Sequence, residues 1–223
     1  MSHKDEEQEL FEDSPASTAP AFYILSVFLI LLLVVSIVPY YAIKYDPQPD
    51  QIPEYGEVVP NVDAIQVTQA IFNYSSIQDY QHFVNATDPV IKEAADTIVL
   101  LSGCKDSKVC NAKAVFYFVR DNMRYVSDPT TYEYIKTPRE ALRTRTGDCD
   151  DASVILSNML QSIGIKTRFV FIPNHVYVQA KIPEALKKYQ DGGWINLDPT
   201  CDKCSFGEIP WSSTYEEKRY VGS

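Results

Sequence analysis

Gly147-Asp148-Cys149-Asp150-Asp151 is the stretch that decides the fold, because it places one cysteine on a glycine turn where an amphipathic helix begins. The residues that follow carry apolar side chains at the i, i+3, i+4 and i+7 spacing of a helix packed on a core. These positions are Ala152, Ile155, Leu156, Met159, Leu160 and Ile163, and Gly164 is the expected helix end. Cys149 lies three positions before Ala152, so we expect its thiol on the buried face of the first turn. Free N–H groups and the helix dipole there favour a thiolate, the nucleophilic form of cysteine.

Three β-strands are predicted after this helix, and two of them carry polar residues on one face. The first covers 166–172, a turn at Pro173-Asn174 follows, and the second covers 175–180. The third begins after Gly192-Gly193 and covers 194–198. Alternation places two groups of side chains on shared faces. These are His175, Tyr177 and Gln179 on the second strand, and Trp194, Asn196 and Asp198 on the third.

The chain order cysteine, histidine, aspartate predicts a catalytic triad. Cys149, His175 and Asp198 lie on different predicted elements, and a histidine oriented by a carboxylate is the arrangement that activates a thiol nucleophile. The sequence contains no His-Glu-x-x-His zinc motif, no Gly-x-Ser-x-Gly motif and no glycine-rich phosphate loop. We therefore expect no catalytic metal and no cofactor.

Five blocks of the chain resemble the transglutaminase-like superfamily, in the order and spacing of that family. They are Thr137 to Leu142, Gly147 to Ala152, Gly164 to Arg168, Asn174 to Val178 and Trp194 to Thr200. The small microbial members that are membrane-anchored or secreted are the most similar. The resemblance implies an α+β, papain-like fold, in which the cysteine helix packs on an antiparallel sheet. It also implies that Cys149 is the nucleophile, His175 the general base and acid, and Asp198 the residue that orients the imidazole.

These residues lead us to expect a thiol enzyme that forms an acyl-enzyme from a peptide or protein amide. Hydrolysis is favoured over cross-linking, because small family members resemble proteases more often. The alternative is a catalytically silent transglutaminase-like binding module at the membrane surface. Tyr177, Asn196 and Trp194 are candidate substrate or oxyanion contacts, and the backbone N–H of Cys149 is a candidate oxyanion donor.

The N-terminal region predicts a membrane anchor. Residues 21–43 form an apolar stretch long enough to span a bilayer, and the acidic residues before it argue against a cleaved signal peptide. We expect a single-pass membrane protein with an extracytoplasmic catalytic domain. The predicted organisation is a disordered acidic tail at 1–20, the transmembrane helix at 21–43, a stiff proline-rich linker at 44–62, a helical part at 63–108 with helices at 63–83 and 89–101, the catalytic core at 109–210 and a loosely packed tail at 211–223.

Four cysteines besides Cys149 carry a hint about the compartment. Cys104 and Cys110 are six residues apart, and Cys201 and Cys204 form a Cys-x-x-Cys after the predicted Asp198 strand. Two disulfide bonds, Cys104-Cys110 and Cys201-Cys204, would suit an extracytoplasmic enzyme. A zinc site made from all four and a set of reduced structural thiols are the two alternatives.

The charge composition argues against a nucleic-acid partner. Lys and Arg number 20 against 30 Asp and Glu, giving a formal net charge of −10. Binding a phosphate backbone requires a positively charged surface, and no run of basic residues supplies one.

Overall fold

The computed structural model describes residues 19–44, 46–67, 76–128 and 134–222, and the chain divides into units at Met1–Tyr45 and Asp46–Ser223. In the first unit, helix α1 spans Ala19–Lys44. Its stretch Pro20–Ile37 has 18 residues, a mean hydropathy of 2.7 and no buried side chains. This helix is long and apolar enough to cross a membrane or to act as a signal sequence. Nearly all of the predicted acidic tail lies outside the described residues.

The second unit contains five helices within its described residues. They are α2 (Tyr55–Val58), α3 (Pro89–Leu101), α4 (Lys108–Asn122), α5 (Pro138–Thr144) and α6 (Cys149–Ser162). Each of the last four begins at a side chain that accepts a backbone N–H of the first turn, which satisfies a donor that the helix leaves free. The capping residues are Asp88, Ser107, Thr137 and Asp148.

A five-stranded antiparallel sheet packs beside these helices. Its strands are β3 (Lys166–Ile172), β4 (His175–Lys181), β5 (Gln190–Asp191), β6 (Trp194–Leu197) and β7 (Arg219–Val221), in the order β5-β6-β4-β3-β7. Two further strands, β1 (Arg124–Tyr125) and β2 (Thr146–Gly147), pair in parallel. The pair β4–β6 aligns Val178 with Leu197 and Gln179 with Asn196.

The core lies between α6 and one face of this sheet. Val176, Val178 and Ala180 of β4 belong to the same buried cluster as Ile155 and Leu156 of α6. The opposite face of the sheet buries Val170, Ile172 and Tyr177 in a second, smaller cluster. The predicted α+β fold, with the cysteine helix packed on an antiparallel sheet, is confirmed.

The helix predicted over 63–83 is wrong within the described residues. The chain forms 3₁₀ turns at Val62–Ala64 and Ile77–Phe83, and residues 68–75 lie outside the described part. Tyr80 and Phe83 are both buried and lie three residues apart, a spacing that aligns side chains on a 3₁₀ turn as well as on an α-helix. The apolar pattern therefore does not separate the two kinds of helix.

The loosely packed tail predicted at 211–223 is corrected at Arg219–Val221, which forms a strand, while Trp211 and Tyr215 are exposed. Strand β7 pairs with β3, aligning Val221 with Phe169, and the Val221 side chain is buried. Burial of one apolar residue and pairing with an otherwise open sheet edge hold the segment in place.

The stiff linker predicted at 44–62 differs from the structure, in which residues 46–58 belong to the second unit and pack on the rest of it. We call these residues the N-terminal strap. The buried ammonium of Lys113 contacts the Asp46 carboxylate at 2.6 Å, and the Tyr189 hydroxyl donates to the same carboxylate at 2.6 Å. The Tyr55 hydroxyl donates to the Leu142 carbonyl at 2.6 Å. An ion pair to a buried lysine and an anchored tyrosine therefore hold the strap against the rest of the second unit.

Replacing Asp46 by Asn tests the importance of the strap. The Lys113 side chain is only 1% exposed, so the substitution leaves a buried charge without its partner. We expect the free energy of unfolding to fall by about 3–5 kcal/mol in urea titrations. The exposed pair Lys92–Asp96 provides the control, and Lys92→Met should change stability by less than about 1 kcal/mol. Equal effects of the two substitutions would show that the strap contributes little.

Candidate active site

The Cys149 thiol lies at the first residue of α6 and against the start of β4. Asp148 precedes the helix and accepts the Asp150 N–H at 3.1 Å. The Cys149 thiol lies 3.8 Å from the Oδ1 atom of Asp150, to which it donates. The Ser153 hydroxyl, one turn further along α6, donates to the Val176 carbonyl at 3.1 Å. The start of β4, which carries His175, is thus tied to the first turns of α6.

The His175 imidazole is oriented by Asp198. Its Nε2 atom lies 2.8 Å from Oδ2 of Asp198, whose side chain is 1% exposed. The other carboxylate oxygen of Asp198 accepts the Thr200 N–H at 3.1 Å and the Thr200 hydroxyl at 2.8 Å. Because Nε2 is bound to Asp198, Nδ1 is the ring nitrogen left for the thiol. The structure therefore places the three predicted triad residues on α6, on β4 and directly after β6.

Gly147 is required by close packing and not by a turn. It ends strand β2, and it is absent from the positive-φ residues of the described chain. A β-carbon at this position would overlap the Asp151 side chain. The glycine turn expected from the sequence is therefore corrected to a glycine contact between β2 and the first turn of α6.

The electrostatic surroundings of the thiol oppose the thiolate. Burial, followed by the charge of Asp150, raises the pKa of Cys149 from its ordinary value of 9.0 to about 12. The Val176 N–H acts in the opposite direction, and Asp148 adds to the increase. The unliganded site therefore holds a protonated thiol at neutral pH, in contrast to the thiolate expected from the helix dipole.

The three candidate substrate contacts make other contacts in the structure. Tyr177 is fully buried against Val170 and Ile172, and burial raises the pKa of its hydroxyl. Asn196 accepts a hydrogen bond from Gln179 at 2.7 Å. Trp194 lies with its ring 4.2 Å from the Arg168 guanidinium. The Tyr177 ring also stacks on the His175 ring, with centroids 6.3 Å apart, and the roles of the three residues as substrate or oxyanion contacts stay predictions.

An open cleft borders the histidine side of the site. His175, Asp198, Thr200 and Cys201 line one side of it, and the C-terminal segment contributes Pro210, Ser212, Ser213 and Glu216. Thr200, which fixes Asp198, was not predicted as a site residue, although the order Asp198-Pro199-Thr200 was the available signal. No sequence pattern indicates the contribution of the C-terminal segment to this cleft.

Disulfide bonds join Cys104 to Cys110 and Cys201 to Cys204, and Cys149 is free. The second bond closes the loop that follows Asp198. Within the described residues, no group of three or more His, Cys, Asp or Glu side chains could hold a metal ion.

Comparisons with known proteins give one matching family model and several similar solved structures. The family model described as Transglutaminase-like superfamily matches residues 94–199. Among solved structures, Legionella pneumophila LapG in its calcium-bound form is 19% identical, with a TM-score of 0.42 over 62% of this chain and 77% of that chain. LapG treated with EGTA is 16% identical, with a TM-score of 0.45 over 78% and 84%. No curated protein sequence matched the chain.

Replacing Asp150 by Asn should lower the pKa of Cys149. Removal of a carboxylate charge beside the thiol makes the thiolate easier to form, although burial still holds the pKa above its ordinary value. The rate of Cys149 alkylation by iodoacetamide, followed against pH by mass spectrometry, should rise at lower pH than in the native protein. Asp191→Asn changes charge equally at β5 and should leave the alkylation profile unchanged. Identical profiles in the native and Asp150→Asn proteins would contradict this account of the thiol.

Proposed function

Because the chain belongs to the transglutaminase-like superfamily, we propose that it is a cysteine-dependent enzyme that acts on amide carbonyl groups through an acyl-enzyme. The observation that supports this most is the orientation of His175. Its Nε2 is bound to a buried carboxylate, which leaves its other nitrogen to serve as a base, and the Ser153–Val176 hydrogen bond ties its strand to the helix that carries Cys149. A nucleophile, a base and a residue that orients the base are the components of acyl transfer.

The raised pKa of Cys149 assigns His175 its role in the first step. The thiol carries its proton before attack, so Nδ1 of His175 accepts this proton as the sulfur forms a bond to the carbonyl carbon. Asp198 stabilises the imidazolium that results. The imidazolium then donates the proton to the amine as the carbon–nitrogen bond breaks, which leaves a thioester on Cys149. The backbone N–H of Cys149, at the start of α6, is the proposed donor to the oxyanion.

We favour water as the acceptor that releases the acyl group. The His175 side chain is 21% exposed and borders the cleft, so solvent reaches the base that would activate it. The enzyme is then a peptidase or amidase acting on a peptide or protein. Transfer to a second amine, which would cross-link proteins, differs only in the molecule that enters this cleft.

One observation favours a second function, a silent binding module. A thiol with a pKa of about 12 is a weak nucleophile unless a base removes its proton during attack. In a binding module the same cleft would hold a peptide without reaction. The formation of an acyl-enzyme separates the two functions.

We further propose that α1 anchors the enzyme and that the catalytic unit lies outside the cytoplasm. The apolar character of α1 supports the anchor, and the disulfide bonds in the second unit support an oxidising compartment. The proposed catalytic core is 109–210, together with the strand at Arg219–Val221 that completes its sheet.

Acylation by p-nitrophenyl acetate tests the proposed reaction without knowledge of the natural substrate. The native protein should release p-nitrophenolate in a burst and gain one acetyl group on Cys149, as detected by peptide mass spectrometry. Cys149→Ser should not gain it, and His175→Ala should acylate at least about 100-fold more slowly, because the base is lost. The exposed His82 on a 3₁₀ turn provides the matched control, and His82→Ala should react like the native protein.

Absence of the acetyl group from the folded native protein would refute the proposed enzyme. Binding of peptides that persists equally in Cys149→Ser would then support the binding module. With an acyl-enzyme in hand, added glycinamide distinguishes the acceptors, since a hydrolase yields acetate and a transferase yields the acetylated amine.

Membrane topology can be measured separately. In intact cells that express the chain, a membrane-impermeant maleimide applied after mild reduction should label the cysteines of the second unit. The label should appear before the cells are permeabilised if the unit is extracytoplasmic. Labelling that requires permeabilisation would place the catalytic unit on the cytoplasmic side.

A further inference from the structure

A second ion pair lies directly behind the nucleophile, and the reaction described above does not use it. The Asp151 side chain is fully buried two residues after Cys149. One of its carboxylate oxygens accepts the Lys136 backbone N–H at 2.7 Å, and the other contacts the Lys136 ammonium at 2.6 Å. The segment before α5 is therefore tied to the first turn of α6 through both carboxylate oxygens of one residue.

The same carboxylate side chain also packs against the strand that leads to the thiol. Gly147 has no room for a β-carbon because the Asp151 side chain occupies that space. Gly147 in turn binds Val126, whose N–H donates to the Gly147 carbonyl at 2.9 Å. Asp151 thus lies in the helical turn that follows Cys149, and its side chain contacts strand β2, which precedes Cys149.

The ammonium of Lys136 also stabilises negative charge at this turn. Asp148, Asp150 and Asp151 fall within four consecutive residues around the thiol. Burial lowers the pKa of Lys136, but the hydrogen bond and charge of Asp151 raise it by more, so the ammonium is retained at neutral pH. Burial raises the pKa of Asp151 to about 6, and Lys136 opposes that increase. A buried carboxylate in this position is therefore stable as an anion largely because the ammonium faces it.

We propose that Lys136 and Asp151 are positioning residues, whose ion pair fixes the first turn of α6 and thereby sets the position of the Cys149 sulfur relative to His175. The effect of the ion pair on the acylation rate rests on the proposed function. Its effect on the order of the first turn of α6 does not. A displacement of about 1 Å between a nucleophile and its base is enough to reduce a reaction rate by about 100-fold.

Asp151→Asn provides the test, with Asp46→Asn as the matched control. Both substitutions remove the carboxylate charge from a pair with a lysine at 2.6 Å, but only the first pair touches the cysteine turn. The measurements are the acylation rate by p-nitrophenyl acetate at saturation, the half-saturating concentration, and amide hydrogen exchange at 150–153. All are made on the full chain at a temperature where both variants are folded.

In Asp151→Asn we expect acylation at saturation to slow by about tenfold or more, the half-saturating concentration to stay within about twofold, and exchange at 150–153 to accelerate by about tenfold. Asp46→Asn should lose stability but keep native values for all three. The single variant Lys136→Arg retains the cation that faces Asp151. It should keep at least about half of the acylation rate of the native protein.

An Asp151→Asn protein with native acylation and native exchange at 150–153 would overturn the positioning role, even if its thermal stability is reduced. If the native protein forms no acyl-enzyme, the proposed function fails on its own. The exchange comparison between Asp151→Asn and Asp46→Asn still decides whether the ion pair fixes the turn.

Discussion

The hydrogen bond from the Ser153 hydroxyl of α6 to the Val176 carbonyl of β4, at 3.1 Å, is the contact on which the site depends. It joins the first turns of a helix to the beginning of a strand, and so it ties the element that carries Cys149 to the element that carries His175. Apolar packing of α6 on Val178 and Ala180 supplies most of the stabilisation of this contact, while the hydrogen bond sets its register.

The balance of charges explains why this site needs a base. A helix N-terminus stabilises a nearby anion by up to about 2 kcal/mol. The change in the pKa of Cys149 from 9.0 to about 12 corresponds to an opposing free energy of about 4 kcal/mol, which combines burial with the charges of Asp150 and Asp148. Burial and carboxylates therefore outweigh the helix dipole. The site resembles a serine-type arrangement, in which the proton leaves during attack, more than one that stores a thiolate.

The sequence predicted the parts of the molecule in which one residue pattern has one structural cause. The apolar spacing after Cys149 matches α6, and the alternation from His175 matches β4, although both elements are buried on more than one face. Contacts between distant segments left no such pattern. Asp46 meets Lys113 across 67 positions of the chain, and Val221 pairs with Phe169 only once the sheet exists. The need for a glycine at position 147 likewise follows only from the position of the Asp151 side chain in the folded structure.

The most direct test of the central claim is the solvent isotope effect on acylation of Cys149 by p-nitrophenyl acetate, measured on the plateau of the pH profile. If His175 removes the thiol proton during attack, acylation should be slower in heavy water than in light water, and His175→Ala should lose this difference together with its rate. Equal rates in the two solvents, with rapid acylation persisting in His175→Ala, would contradict the account, because the thiol would then react without the help of the histidine.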